Sequence, residues 1–182
     1  KIQRQKILIL GAYGMLGTSL SRYLQKSGAS VYLQGRSQEA EFRFNLNNPF
    51  KCAELIKSKK ISTIINLIAK TDLELCEKNV SEAYQANMGT LNSIVSAISL
   101  CSKERSPHLI HLSTDQVYNG EGPHKEESVC PINVYGITKY GGELIAQQAG
   151  ATILRTNFFG LSYCPNRKSF SDWCVQSLRN GL

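Results

Sequence analysis

No apolar run in this chain approaches the roughly 18 residues that a membrane span requires. The most apolar stretch, Ile61 to Ala69, is interrupted by Ser62, Thr63 and Asn66. Six cysteines, at positions 52, 76, 101, 130, 164 and 174, form no Cys-x-x-Cys pair and no zinc-like spacing. That usage argues for reduced thiols and a cytoplasmic location, and against a disulfide scaffold. Lys1 to Leu10 has too short an apolar segment for a secretory signal and shows no cleavage-site pattern. Internal repeats, low-complexity tracts and a linker to a second complete domain are also missing. What is left is ordinary globular composition: 42% hydrophobic and 19% charged over 182 residues. That suffices for one sizeable core and excludes disorder, collagen and coiled coil.

The net charge is +7, and it is uneven: residues 1 to 60 carry 11 basic and 3 acidic groups, residues 61 to 182 carry 10 and 11. A basic first third suits a phosphorylated small molecule or a nucleic acid, and equally suits scattered, solvated lysines. A nucleic-acid platform would interleave aromatic and basic residues on one sheet face, which is not seen here. Trp173 and Phe170 read instead as packing residues.

Strand-length apolar runs alternate with segments of helical period, which predicts an α/β fold with a parallel sheet and crossover helices. Strands are expected at Lys6–Leu10, Ser30–Gln34, Ile61–Ile68, His108–Ser113 and Ala151–Arg155. Leu16, Leu20 and Leu24 give a first helix one apolar stripe, ending near Gly28. A short helix is expected at Cys52–Lys59, one long helix at Ser81–Cys101 and another at Asn133–Gln148. Asp115 to Pro131 is the one long connection without a regular pattern, and loops of that length are commonly functional. The whole of 1–182 reads as one domain.

Gly11, Gly14 and Gly17 form G-x-x-G-x-x-G between a strand and a helix. In that setting glycine lets the backbone turn tightly and approach a diphosphate, whose charge meets the free N–H groups of the helix start. The alternative is a tight turn with close helix packing. The second strand would usually end in a carboxylate for the adenosine ribose, but here it ends Gln34-Gly35-Arg36-Ser37. A guanidinium and a hydroxyl suit a 2′-phosphate, so NADPH is expected over NADH unless Arg36 is merely an exposed loop residue.

Ser113, Thr114 and Asp115 close an apolar strand, where α/β sheets place ligand-contacting groups. Tyr135 and Lys139 follow at i, i+4 on one helical face, so the ammonium is expected to lie beneath the phenol and lower its pKa. The Tyr-x-x-x-Lys spacing is weak alone in a chain with 8 tyrosines; it gains weight from the strand-ending Ser-Thr and the glycine loop. His108 and His111 are not a metal pair, because strand residues three apart face opposite sides. No metal is expected.

Together these residues resemble the extended short-chain dehydrogenase/reductase family, and within it the dTDP-4-dehydrorhamnose reductase branch. The likeness runs from Lys6 to about Leu182. It rests on the glycine loop Gly11-Ala12-Tyr13-Gly14-Met15-Leu16-Gly17, on Asn66-Leu67-Ile68-Ala69-Lys70-Thr71, and on Asn87. The most specific block is Ser113-Thr114-Asp115-Gln116-Val117-Tyr118-Asn119-Gly120, continuing through Pro131-Ile132-Asn133-Val134-Tyr135-Gly136 to Lys139 and Gly142-Glu143.

The resemblance implies a Rossmann-type, doubly wound parallel sheet. It implies NADP as cofactor, with contacts from Gly11, Tyr13, Gly14, Met15, Leu16, Gly17, Arg36, Ser37, Asn45, Leu46, Ile68, Ala69, Lys70, Thr71, Asn87 and Ser113. Thr114 would bond the substrate carbonyl, Tyr135 would donate the proton, and Lys139 would hold the nicotinamide ribose and tune the tyrosine. The implied substrate is a nucleotide-sugar: the 4-keto group of dTDP-4-dehydro-6-deoxy-L-mannose, reduced to dTDP-L-rhamnose. Asn87 would also fix the strand-end geometry.

Two departures stand out. Asn45-Leu46 lies where the family usually has an aspartate on adenine, and Glu74 replaces a common aspartate after Thr71. Family members are longer, so the C-terminal substrate domain is expected to follow Leu182, with this chain the cofactor-binding part. Competing readings are a sugar-nucleotide 4-epimerase, disfavoured by Arg36, and a dehydratase, disfavoured by Gln116 after Asp115. A non-catalytic NADP-binding subunit like the beta subunit of methionine adenosyltransferase is a third. No nucleic acid or membrane is expected as partner; a homodimer is compatible with the sequence.

Overall fold

Every residue of the first strand after Lys6 is shielded from solvent, with Leu8, Ile9 and Leu10 completely so, as a central parallel strand covered on both faces must be. The computed structural model describes residues 5–164 and 168–181. Its strands are β1 (Lys6–Leu10), β2 (Ser30–Gly35), β3 (Phe42–Arg43), β4 (Thr63–Asn66), β5 (His108–Ser113) and β6 (Thr152–Arg155). They form one sheet in the order β3-β2-β1-β4-β5-β6, and every pairing is parallel. The helices are α1 (Met15–Lys26), α2 (Pro49–Lys59), α3 (Leu73–Lys78), α4 (Val80–Tyr84), α5 (Thr90–Ser99), α6 (Val134–Gln148) and α7 (Phe170–Arg179).

Alternation along β1 divides the core. Leu8 and Leu10 face Ile64, Leu91, Ile94 and Leu109 on the side of α2 and α5. Ile7 and Ile9 face Leu24 of α1 and Ile65 on the other side. Helices on both faces make the sheet doubly wound, and its strand order reverses at β1, between β2 and β4. Ligands of such sheets sit outside the carboxyl ends of the strands at that reversal.

β1 and β5 match the predicted bounds. β4 is shorter than predicted, because Ile61 is bound back to the end of α2 through its N–H to Ile56 O at 3.0 Å. At the other end the Asn66 side chain takes the Ile68 N–H at 3.2 Å. The single long helix expected at Ser81–Cys101 is instead α4 and α5 joined by a π turn, Gln85–Gly89. The wider turn carries Asn87 inward, a device found at functional sites.

β3 was not anticipated, being too short for any periodic pattern. Nor was α7, although Ser169 and Asp172 form a capping box at its start. Phe170 and Trp173, read as packing residues, stack on each other at 5.6 Å, but α7 buries none of its residues. Among the described residues no helix is long and apolar enough to cross a membrane.

α6 and β6 are joined by a buried ion pair. Arg155 donates from Nε to Glu143 Oε1 at 3.0 Å and from Nη2 to Oε2 at 2.6 Å, and Glu143 is fully buried. The remaining Nη1 donates to Tyr118 Oη at 2.7 Å and to the Glu126 carbonyl at 2.5 Å, so one guanidinium also ties down the long connection after β5. Removing one partner leaves a buried charge alone. Arg155→Leu is therefore expected to cost about 3–5 kcal/mol in urea denaturation, and Arg155→Leu with Glu143→Leu to recover much of it.

Candidate active site

The turn after β1 is shaped by what its glycines omit. Gly11 has φ +79°, and a Cβ there would lie 3.1 Å from Ile68 Cγ1. A Cβ on Gly17 would overlap the Gly11 carbonyl oxygen and come within 2.7 Å of the Ala12 carbonyl. α1 thus starts hard against the turn. Its N-cap, Gly14, gives no side-chain cap and its first turn holds no acidic residue, so the positive end of the helix faces outward uncompensated. That cradle fits an anion such as a dinucleotide's diphosphate.

Buried Gln34 braces this turn. It accepts from Gly11 N–H at 3.4 Å and donates to the Phe44 carbonyl at 3.2 Å. Sequence reasoning noted only that Gln34 is not a carboxylate. Beyond it, Arg36 and Ser37 stand exposed on the loop after β2. The Tyr13 phenol is bound to that loop's backbone, accepting from Glu41 N–H at 2.9 Å.

The end of β4 is held by Asn87. Its Oδ1 accepts from Lys70 N–H at 2.8 Å, while Nδ2 donates to the Lys70 carbonyl at 3.3 Å and to Thr138 Oγ1 at 2.9 Å. This bears on the cofactor contact expected of Asn87: its amide is spent on protein, so it is a positioning residue. Lys70 itself pairs with Glu82. Ile68 and Ala69 border the crevice half-buried, and Thr71 is exposed beside them.

Leu46 does not reach the crevice with its side chain, because it packs into the core with Leu8 and Leu10. Neighbouring Asn45 is exposed and turns its Oδ1 to Asn47 N–H at 2.9 Å. Met15 and Leu16 lie partly buried at the start of α1.

Thr114, Tyr135 and Lys139 are all buried. Asn133 caps α6 by accepting from Gly136 N–H at 2.7 Å, which fixes where the helix starts and so where Tyr135 and Lys139 fall. Thr114 Oγ1 accepts from Gln116 N–H and donates to Asp115 Oδ1, each at 3.2 Å. Lys139 Nζ donates to the Leu112 carbonyl at 2.5 Å.

The expected lowering of the phenol by the lysine is overturned. Burial pushes Tyr135 above its ordinary value, a hydrogen bond with Thr114 opposes this, and the Asp115 charge adds to the rise. Burial also lowers Lys139, to about 8, against the pull of Glu143.

Behind these groups lies His111, which sequence reasoning considered only as a metal ligand. Its Nδ1 meets Asn66 Nδ2 at 3.1 Å. Since Asn66 Oδ1 accepts from Ile68 N–H, that amide nitrogen is the donor and the imidazole proton sits on Nε2. Nε2 and Ser113 Oγ are buried without a hydrogen-bond partner among the described residues. His108, on the opposite side, meets Thr152 Oγ1 at 2.8 Å.

Burial, reinforced by the Lys139 charge, lowers His111 from 6.5 to about 3. Between those values the unfolded chain takes up a proton that the folded chain refuses, so stability falls as pH falls through the window. Thermal melts from pH 6.5 toward pH 3 are expected to show a shallower loss in His111→Gln than in the parent.

A family profile described as RmlD substrate binding domain matches residues 5–175. A dTDP-4-dehydrorhamnose reductase of Shigella flexneri is 32% identical over 157 residues, 84% of this chain and 50% of that protein. A hypothetical dTDP-4-dehydrorhamnose reductase from Sulfolobus tokodaii superimposes with a TM-score of 0.80 at 32% identity, covering 97% of this chain and 63% of that one. The Bacillus anthracis dTDP-4-dehydrorhamnose reductase in complex with NADP superimposes with a TM-score of 0.77 at 23% identity, covering 99% of this chain and 61% of that one. The chain spans about half the length of the curated relatives it matches. With its Rossmann-type sheet, its glycine turn and its buried Thr114, Tyr135 and Lys139, the chain belongs to the RmlD substrate binding domain family.

Proposed function

We propose that this chain is the cofactor-binding part of an oxidoreductase that reduces the 4-keto group of a deoxy sugar nucleotide, with NADPH as cofactor. The observation that carries the reading is that buried Tyr135 reaches Thr114 while buried Lys139 reaches the Leu112 carbonyl, both at the carboxyl end of β5, in the same sheet whose reversal point holds the glycine turn. The bare helix start and the side-chain-free Gly11, Gly14 and Gly17 fit a diphosphate, and Arg36 with Ser37 fit a 2′-phosphate. When bound, NADPH supplies the hydride.

The protein's own groups do the rest. Thr114 turns its hydroxyl proton from Asp115 Oδ1 to the substrate carbonyl, polarising it. Tyr135, whose burial favours the protonated phenol, gives its proton to the alkoxide oxygen. Lys139 would hold the nicotinamide ribose. The substrate is then a nucleotide-sugar such as dTDP-4-dehydro-6-deoxy-L-mannose, in keeping with relatives named dTDP-4-dehydrorhamnose reductases. All six cysteines are free thiols, which supports a reducing, cytoplasmic setting.

NADPH is expected to raise the melting temperature of the chain more than NADH; equal shifts count against the 2′-phosphate reading. In a protein extended beyond Leu182, NADPH oxidation on a panel of 4-keto sugar nucleotides is expected to fall about 10²–10⁴-fold in Tyr135→Phe, with cofactor affinity kept. Turnover unchanged in that variant removes Tyr135 from its role. A full-length protein that binds NADPH in a stable hetero-oligomer, without reductase activity, favours the regulatory reading.

A further inference from the structure

The loop that carries Arg36 and Ser37 is not held by its own contacts alone. It is pinned from the glycine turn by Tyr13. The Tyr13 ring lies across Gly35, the last residue of β2, so closely that a Cβ there would come within 2.5 Å of Cδ2 and 3.0 Å of Cε2. From that position the phenol reaches over the loop, accepting from Glu41 N–H at 2.9 Å and approaching the Glu39 carbonyl at 3.5 Å.

Two further bonds complete the loop. Ala40 N–H donates to the Ser37 carbonyl at 3.2 Å. Glu41 turns its carboxylate back on the β2 backbone, taking Leu33 N–H at 3.0 Å. The loop's path is therefore set by a side chain from the turn that receives the diphosphate, more than twenty positions upstream in the sequence.

We infer that Tyr13 is a positioning residue for cofactor choice: by bracing residues 36–41 it presents Arg36 and Ser37 to a 2′-phosphate and keeps the Glu41 carboxylate away from the ribose. This rests on the NADPH reading above. Two physical effects give its sign. A loop already ordered loses less conformational entropy when Arg36 closes on a phosphate than one that must be ordered on binding. A carboxylate released near the ribose would bond the two hydroxyls of NADH and repel the extra phosphate of NADPH. Loosening the brace thus weakens NADPH and spares or helps NADH, whereas damage to the glycine turn would weaken both.

The test is calorimetric titration of the 182-residue chain with NADPH and NADH, and with 2′,5′-ADP and 5′-AMP as probes without nicotinamide. The parent is compared with Tyr13→Phe, Gly35→Ala and Arg36→Ala. Tyr13→Phe keeps the ring and removes the hydroxyl. Gly35→Ala keeps the hydroxyl and displaces the ring, so the idea stays testable if either variant fails to fold. Each is expected to lose roughly five- to tenfold in affinity for NADPH and 2′,5′-ADP, the worth of about one hydrogen bond, while NADH and 5′-AMP are held within twofold.

Three results overturn the inference. The first is an unchanged NADPH-to-NADH ratio in both Tyr13→Phe and Gly35→Ala while Arg36→Ala loses it, which leaves the Arg36 reading standing. The second is an equal loss of both cofactors in Tyr13→Phe, the mark of a merely structural role. The third is a parent chain without preference, which removes the 2′-phosphate reading as well.

Discussion

The seating of one face of α6 against the sheet is the constraint on which the site depends. That face buries Tyr135, Thr138, Lys139 and Glu143, an unusual polar load for a helix interior, and burying such groups is tolerable only when they are partnered. Thr138 receives Asn87, Lys139 reaches the Leu112 carbonyl and Glu143 holds Arg155. Each bond ties α6 to a different partner: the π turn before α5, then β5, then β6. Gly142 permits the approach, since a Cβ there would lie 2.7 Å from the Asn87 carbonyl oxygen. A helix fixed at three places cannot rotate, so Tyr135 and Lys139 keep their depth beside Thr114.

That rigidity comes with electrostatic cost. The Lys139 ammonium is nearly out of water, with its charge met by one carbonyl and, a turn away, by Glu143. His111 responds by staying neutral, and its Nε2–H and the Ser113 hydroxyl are left unpartnered on the same face of β5. Buried polar atoms left in this state are destabilising. His111 lies on β5 within reach of the Lys139 charge, and unmet polarity of this kind is common at functional sites.

Much of this was legible before any coordinates. The short apolar run of β1, followed at once by glycines, reads as a buried strand, and the glycine spacing between β1 and α1 located the turn. The Tyr135 and Lys139 pair followed from helical spacing taken together with the strand-ending Ser113-Thr114 and the glycine loop. What was hidden depends on contacts between distant residues. Asn87 meets Lys70 across 17 positions and Thr138 across 51; no local pattern encodes either partner, and only the family resemblance pointed to Asn87 as fixing the strand end. The π turn is invisible because its residues have the same apolar spacing as a plain helix. Leu46 was misplaced because a motif position says which residue is present but not which way it faces. The phenol was misjudged for a related reason: i, i+4 spacing puts two residues on one face, but burial and the Asp115 charge set the proton's affinity.

The sign of that last correction bears on the direction of the chemistry. A tyrosine beside an ammonium, as first expected, would tend toward phenolate and serve best as a base that removes a proton from an alcohol. A tyrosine buried and raised keeps its proton and serves best as an acid toward an alkoxide, which is what the proposed carbonyl reduction requires. Thr114 sits between the two demands. Its hydrogen bond opposes the rise that burial causes. With Lys139 at about 8, the ammonium is itself near the point of losing a proton at ordinary cellular pH. In the proposed reduction the proton given to the alkoxide is therefore the one that burial keeps on Tyr135.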